Sequence, residues 1–141
     1  MKTLIGILII IACFITAAHA QEPVRQESGW VYACGAHVPI KYAKISAASS
    51  GDNTLVAAVA SKRIRVLDVL IVATDAVTVS FESDASGTAL TGDISLAANG
   101  GFAPGFDLHG HFQTVAGELL NLELGGAVQV DGWLTYIETS C

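Results

Sequence analysis

The sequence predicts an all-β protein: a single β-sandwich of jelly-roll type over residues 38–141, behind an arm at 21–37 and a cleavable N-terminal signal helix at 1–20. Three observations carry that expectation. Apolar and polar residues alternate with a period of two in several segments, which places each set on one face of a pleated strand and would scatter it around a helix. Clusters of Gly, Asp, Asn and Ser interrupt these segments about every 8–12 residues, the rhythm of turns in a sandwich or barrel. No stretch after residue 20 carries an apolar stripe at helical spacing.

The chain begins with Lys2, an isoleucine-rich apolar run from Leu4 to Ala18, and Ala18-His19-Ala20 before polar Gln21-Glu22-Pro23. Basic start, apolar centre and small-x-small end are the three parts of a secretory signal. The rival reading is a retained anchor, since Thr3 to Ala20 holds no Asp, Glu, Lys or Arg and about 20 apolar residues span a bilayer.

In the arm, Trp30, Tyr32 and Cys34 alternate as in a short edge strand. Tyr42 to Ala47 is the first regular strand, closed by the turn cluster Ser49-Ser50-Gly51-Asp52. Thr54 to Val59 follows. Ile64 to Ala73 is β-branched and apolar on both faces from Val69 to Val72, the pattern of a strand covered on both sides. Val77, Val79 and Phe81 then oppose Thr78, Ser80 and Glu82, and Ser83 to Gly87 is a loop. A weaker strand at Asp93 to Ala97 ends at Asn99-Gly100-Gly101. Leu120, Leu122 and Leu124 oppose Leu119, Asn121 and Glu123. Gly125-Gly126 reads as a hairpin turn into Val128, Val130, Leu134 and Tyr136, with Gly132 as a bulge. That makes about eight strands, the usual count of a jelly roll.

Composition limits the functions available. Hydrophobic residues make up 52% of the 141 and charged residues 14%, so the chain buries a core and is not disordered. Thirteen acidic residues against seven basic ones give a net charge of -6. Binding to nucleic acid needs a basic surface, and so does an anionic membrane face; both are disfavoured. A membrane is a partner only if residues 1–20 are retained.

Cys13 would leave with the signal, so the exported chain keeps Cys34 and Cys141. An even pair in an oxidising compartment reads as one disulfide. The alternative is a buried Cys34 with a free or intermolecular Cys141. Neither cysteine belongs to a C-x-x-C, which leaves redox and zinc-ribbon readings without support.

His109-Gly110-His111 is the constellation closest to a site, and Asp107 extends it to Asp-x-His-x-His. On an extended strand the two imidazoles would share a face, about 6.5–7 Å apart, within reach of one metal ion. Cupin metalloproteins follow such a pair with Glu four or five residues later; here Val115 and Ala116 stand there, and His37 is the remaining substitute. The reading therefore expects no bound metal and no cofactor, with Asp107, His109 and His111 as the candidate ligands. Asp68 shares a nominal face with Ile64, Val66 and Leu70, and needs either Arg63 or Arg65 as a partner or a bulge that turns it to water. Glu82 and Asp84 are the nearest approach to the paired carboxyls of a glycosidase. Trp30 and Trp133 are candidate sugar platforms or packing residues. No nucleophile elbow, zincin, P-loop or dinucleotide motif occurs, and no catalytic residue is assigned.

Four passages resemble a group of small structural proteins of tailed bacteriophages: Ala47 to Val59, Lys62 to Leu67, Gly110 to Leu122, and Tyr136 to Glu138. In that group the third passage usually reads Gly-Trp-Phe-x-Thr-x-x-Gly-Glu-x-Leu; His111 replaces the tryptophan here. The resemblance implies a β-sandwich virion component, such as a head decoration or tail-associated module. Sandwich edges need cover, and symmetric assembly supplies it. The expectation is thus a non-enzymatic protein, secreted or virion-associated, whose partners are copies of itself or other virion or surface proteins. The alternatives are a secreted binding module for carbohydrate or metal and, third, a secreted hydrolase.

Overall fold

The computed structural model describes residues 29–141, and every regular element there is a strand. The expected signal segment and residues 21–28 of the arm lie outside the described residues. The strands are β1 (Trp30–Ala33), β2 (Ala36–Pro39), β3 (Lys41–Ala47), β4 (Gly51–Val56), β5 (Arg63–Ala73), β6 (Val77–Ser83), β7 (Thr88–Ala89), β8 (Ile94–Leu96), β9 (Gly101–Phe102), β10 (Phe112–Gln113), β11 (Leu120–Leu124) and β12 (Val130–Thr139).

Two antiparallel sheets stack face to face. The first runs β10-β5-β12-β3, with β9 also on β5; the second runs β4-β11-β6-β7, with β8 also on β6. From β3 to β6 the chain changes sheet at every step, and it does so again from β10 to β11 and from β11 to β12. The core lies between the sheets, where Ile45, Ile64, Val69, Ile71 and Leu134 meet Val79, Phe81, Leu120, Leu122 and Leu124. All ten are essentially excluded from water. Such side chains each stabilise by about 1.5–3 kcal/mol on burial, which is why the alternating leucines of β11 and valines of β6 face inward.

Several expectations are corrected by this alternation between sheets. Gly125-Gly126 is not a hairpin turn, because β11 is flanked by β4 and β6 while β12 is flanked by β5 and β3. The diglycine carries the chain from one sheet to the other, and the two apolar faces it joins oppose each other across the core. Gly132 is not a bulge. A Cβ added there would run into the carbonyl oxygen of Leu70, so glycine permits close approach of β12 to β5. The bulge is on β5: Thr135 pairs with Asp68 and Tyr136 with Val66, leaving Leu67 unmatched. It reverses the inward set from Ile64 and Val66 to Val69, Ile71 and Ala73.

That reversal accounts for Asp68, which is half-buried and accepts a hydrogen bond from the Val69 amide at 2.9 Å. Arg65 instead donates to Gln113 and Arg63 to the Thr114 carbonyl. The strand expected at Thr54 to Val59 spans Gly51–Val56, because Asn53 bonds the Ser49 and Gly51 carbonyls and tightens the turn to Ser49-Ser50. The outer face of β5 is covered only in part: Leu70 is half-buried and Val72 exposed.

The cover comes from the arm. Rather than one edge strand, β1 and β2 form a separate hairpin across the expected boundary at residue 38. Cys34 and Gly35 turn it with φ of 54° and 78°, the backbone of a two-residue hairpin loop. Val31 and Ala33 pack on Leu67 and Ile137, behind the first sheet. A Cys34–Cys141 disulfide staples the hairpin tip to the last residue, with Cα atoms 5.8 Å apart.

The stretches Lys62 to Leu67 and Gly110 to Leu122 carry fold contacts. Phe112 packs on Phe81 at 4.9 Å, and Thr114 Oγ1 accepts from the Ile64 amide at 3.0 Å. Gly117 has φ 85°, and the Glu118 carboxylate accepts from the Ser83 hydroxyl. Among the described residues no helix is long and apolar enough to cross a membrane.

Candidate functional site

Asp107, His109 and His111 do not lie on a strand. Residues 103–111 form a loop in which the Asp107 carboxylate accepts from the His109 amide at 2.8 Å, and Gly110, with φ 85°, turns the chain between the histidines. His109 is almost fully exposed, its Nδ1 3.4 Å from Asp107 Oδ1. His111 Nε2 sits 2.7 Å from the Gly105 carbonyl oxygen. The amide of His109, then its imidazole and that of His111, hold the Asp107 carboxyl below its ordinary pKa against a smaller opposing effect of burial. Asp107 and His109 come together; a three-donor arrangement with His111 does not form, because a turn has replaced the extended backbone that the spacing requires. His37 lies on β2 beside Tyr32, edge to face at 5.6 Å.

Glu82 meets carboxyl partners, but across the sheet and not along the chain. On the outer face of the second sheet, Asp52 of β4 and Glu123 of β11 are register partners, and Asn121 of β11 is the partner of Glu82 on β6. One carboxylate oxygen from each of Asp52, Glu82 and Glu123 lies within 4.8 Å of the other two. Asp84 points away into the loop and accepts from the Ala85 amide. Ser86, from the same loop, donates its amide and hydroxyl to the two oxygens of Asp52, each at 2.8 Å. Those two bonds, joined by one from Asn121, outweigh burial and lower the Asp52 pKa. Burial, with the charges of Asp52 and Glu82, raises that of Glu123.

Asn121 is fully buried. Its Nδ2 donates to Asp52 Oδ1 at 2.6 Å, while its Oδ1 has no hydrogen-bond partner among the described residues. Glu82 Oε2 is likewise buried and unpartnered. Sequence reasoning passed over Asp52, Asn121 and Glu123. The available signal was their outward parity on strands whose other face is leucine and valine; the register that joins three strands is not readable from one chain.

The first sheet presents a different outer surface. Tyr42 of β3 stacks on Trp133 of β12, centroids 6.4 Å apart and planes 23° from parallel. Leu70 is the register partner of Trp133, and Tyr42 and Val72 are 52% and 42% exposed. On the hairpin, Trp30 and Tyr32 are 64% and 71% exposed. Two shallow grooves open to solvent elsewhere: one runs along Arg65, His109, Gly110, Phe112 and Gln113, the other along Val77, Thr78, Ser95 and the Gly125-Gly126 crossing.

No protein-family model matches the chain, and no curated protein or solved structure matches it.

Proposed function

We propose that the chain is a non-enzymatic structural protein, exported and built on a jelly roll, which packs against copies of itself or decorates a larger particle such as a phage virion. The observation that carries this reading is the outer face of the first sheet, where Trp133 stacks on Tyr42 and pairs with Leu70 and where Tyr42 and Val72 are exposed. Contiguous exposed apolar surface marks an interaction site, and aromatic residues dominate the anchoring positions of interfaces. The jelly-roll assignment draws on the pairing orders β10-β5-β12-β3 and β4-β11-β6-β7. Export draws on the residue 1–20 pattern, with the disulfide consistent with an oxidising compartment. The phage resemblance supports the virion setting, and its passages coincide with residues that hold the sandwich together.

Light scattering on the oxidised protein at micromolar concentration tests the assembly. An oligomer that Tyr42→Ser with Trp133→Ser converts to monomer is the expected result; a wild-type monomer counts against self-assembly. A second reading, a secreted binding module for carbohydrate or metal, draws on the flat Tyr42–Trp133 surface and on the acidic cluster of the second sheet. A glycan array separates the carbohydrate branch from the structural one, since sugar binding abolished by Trp133→Ser favours the module.

A further inference from the structure

We infer that Asp52, Glu82, Glu123 and Asn121 form a calcium-binding site on the outer face of the second sheet. Three carboxylates converge there with oxygens within 4.8 Å of one another, and no lysine, arginine or histidine among the described residues pairs with any of them. Calcium takes about six to eight oxygen ligands in flexible geometry, whereas magnesium demands a near-ideal octahedron and keeps most of its waters, so a set of protein carboxylates on three strands suits calcium better. An all-oxygen donor set also selects a hard cation over zinc or copper.

Convergent acids alone mark no site; the amide of Asn121 is the independent sign of a ligand. This side chain is fully buried, reaches Asp52 through Nδ2, and leaves Oδ1 without a hydrogen bond. A buried acceptor left unpaired is costly in a folded protein. Turning the amide over exchanges Nδ2 and Oδ1 and presents the carbonyl oxygen to the acidic group. Bare carboxylates oppose that orientation, because oxygen would then face oxygen; a cation between them favours it. Glu82 Oε2 is likewise buried and unpaired, on one of the three converging carboxylates. Asp52, held by both donors of Ser86, is preorganised and exposed, which leaves the open side of the ion to water.

The inference goes beyond the structural reading above and does not depend on it. Isothermal titration of the oxidised, chelator-stripped chain with calcium chloride should give one site per chain, with a dissociation constant of about 10⁻⁴–10⁻³ M, the range of extracellular modules. Calcium at about 10 mM should raise the melting temperature by roughly 5–10 °C, with a clearly smaller response to magnesium. Glu82→Gln and Glu123→Gln should each abolish the calcium response while keeping the β-type far-ultraviolet spectrum, since each also relieves repulsion in the ion-free cluster. Absence of calcium heat in the wild-type chain overturns the inference, whatever the variants do. So does an equal response to magnesium, or a calcium response that survives in both folded variants. Oligomeric state is read separately by light scattering, so failure here leaves the assembly reading where it stands.

Discussion

Removing the disulfide should be the most destabilising change that leaves the core intact. Replacing both Cys34 and Cys141 with serine frees the hairpin tip from the C-terminus without leaving a reactive thiol. The two cysteines are 107 residues apart, so the bridge closes almost the whole described chain into one loop. Chain entropy then assigns it about 4.7 kcal/mol of stabilisation through the unfolded state. In a domain of just over 100 residues each kcal/mol moves the melting temperature by roughly 4 °C, so the fall should be about 15–20 °C. Urea unfolding followed by circular dichroism measures it, and the slope against denaturant should rise, because the unfolded chain without its bridge exposes more surface. The native contacts of Val31 and Ala33 with Leu67 and Ile137 remain available to the variant. A loss below about 1 kcal/mol with an unchanged slope would refute the reasoning: the unfolded chain would then be compact enough that the bridge constrains little.

Three further outcomes follow from particular contacts. Gly132→Ala puts a methyl group against the Leu70 carbonyl and should cost about 1–3 kcal/mol or more by prying β12 from β5; a melting temperature unchanged within a degree would show that the strands yield freely. Thr114→Val strips the acceptor from the buried Ile64 amide and should cost about 1–3 kcal/mol in denaturant unfolding, whereas an unchanged midpoint would mean the amide finds another partner. Burial raises the Tyr136 pKa above its ordinary value near 10, with Glu138 adding to the rise and Lys41 opposing it. Above pH ~10 the folded state therefore holds the phenolic proton more tightly than the unfolded one, so stability present below that pH is lost as pH climbs through the folded pKa. Urea midpoints from about pH 9 to pH 12 should show a decline that Tyr136→Phe makes shallower; equal declines would place the alkaline loss elsewhere.

Local geometry was legible in the order of residues. Alternation decides which side chains of β6 and β11 share a face, and so selects the core residues Val79, Phe81, Leu120, Leu122 and Leu124 before any fold is known. An even number of cysteines after residue 20 raised the possibility of the bridge. Tertiary structure alone decided which strands are neighbours, since hydrogen bonding between strands is a relation of backbones and leaves the same alternating pattern in any partner order. For that reason Gly125-Gly126 read as a hairpin and proved a crossing between sheets. The bulge that Asp68 called for was open to the sequence, but its place at Leu67 was not, because a one-residue slip shows only against the facing strand β12. The same holds for the chemistry. Two histidines two residues apart were visible at once, yet a turn at Gly110 separated their roles, while Asp52, Glu82 and Glu123, far apart along the chain, became neighbours when β4, β11 and β6 paired.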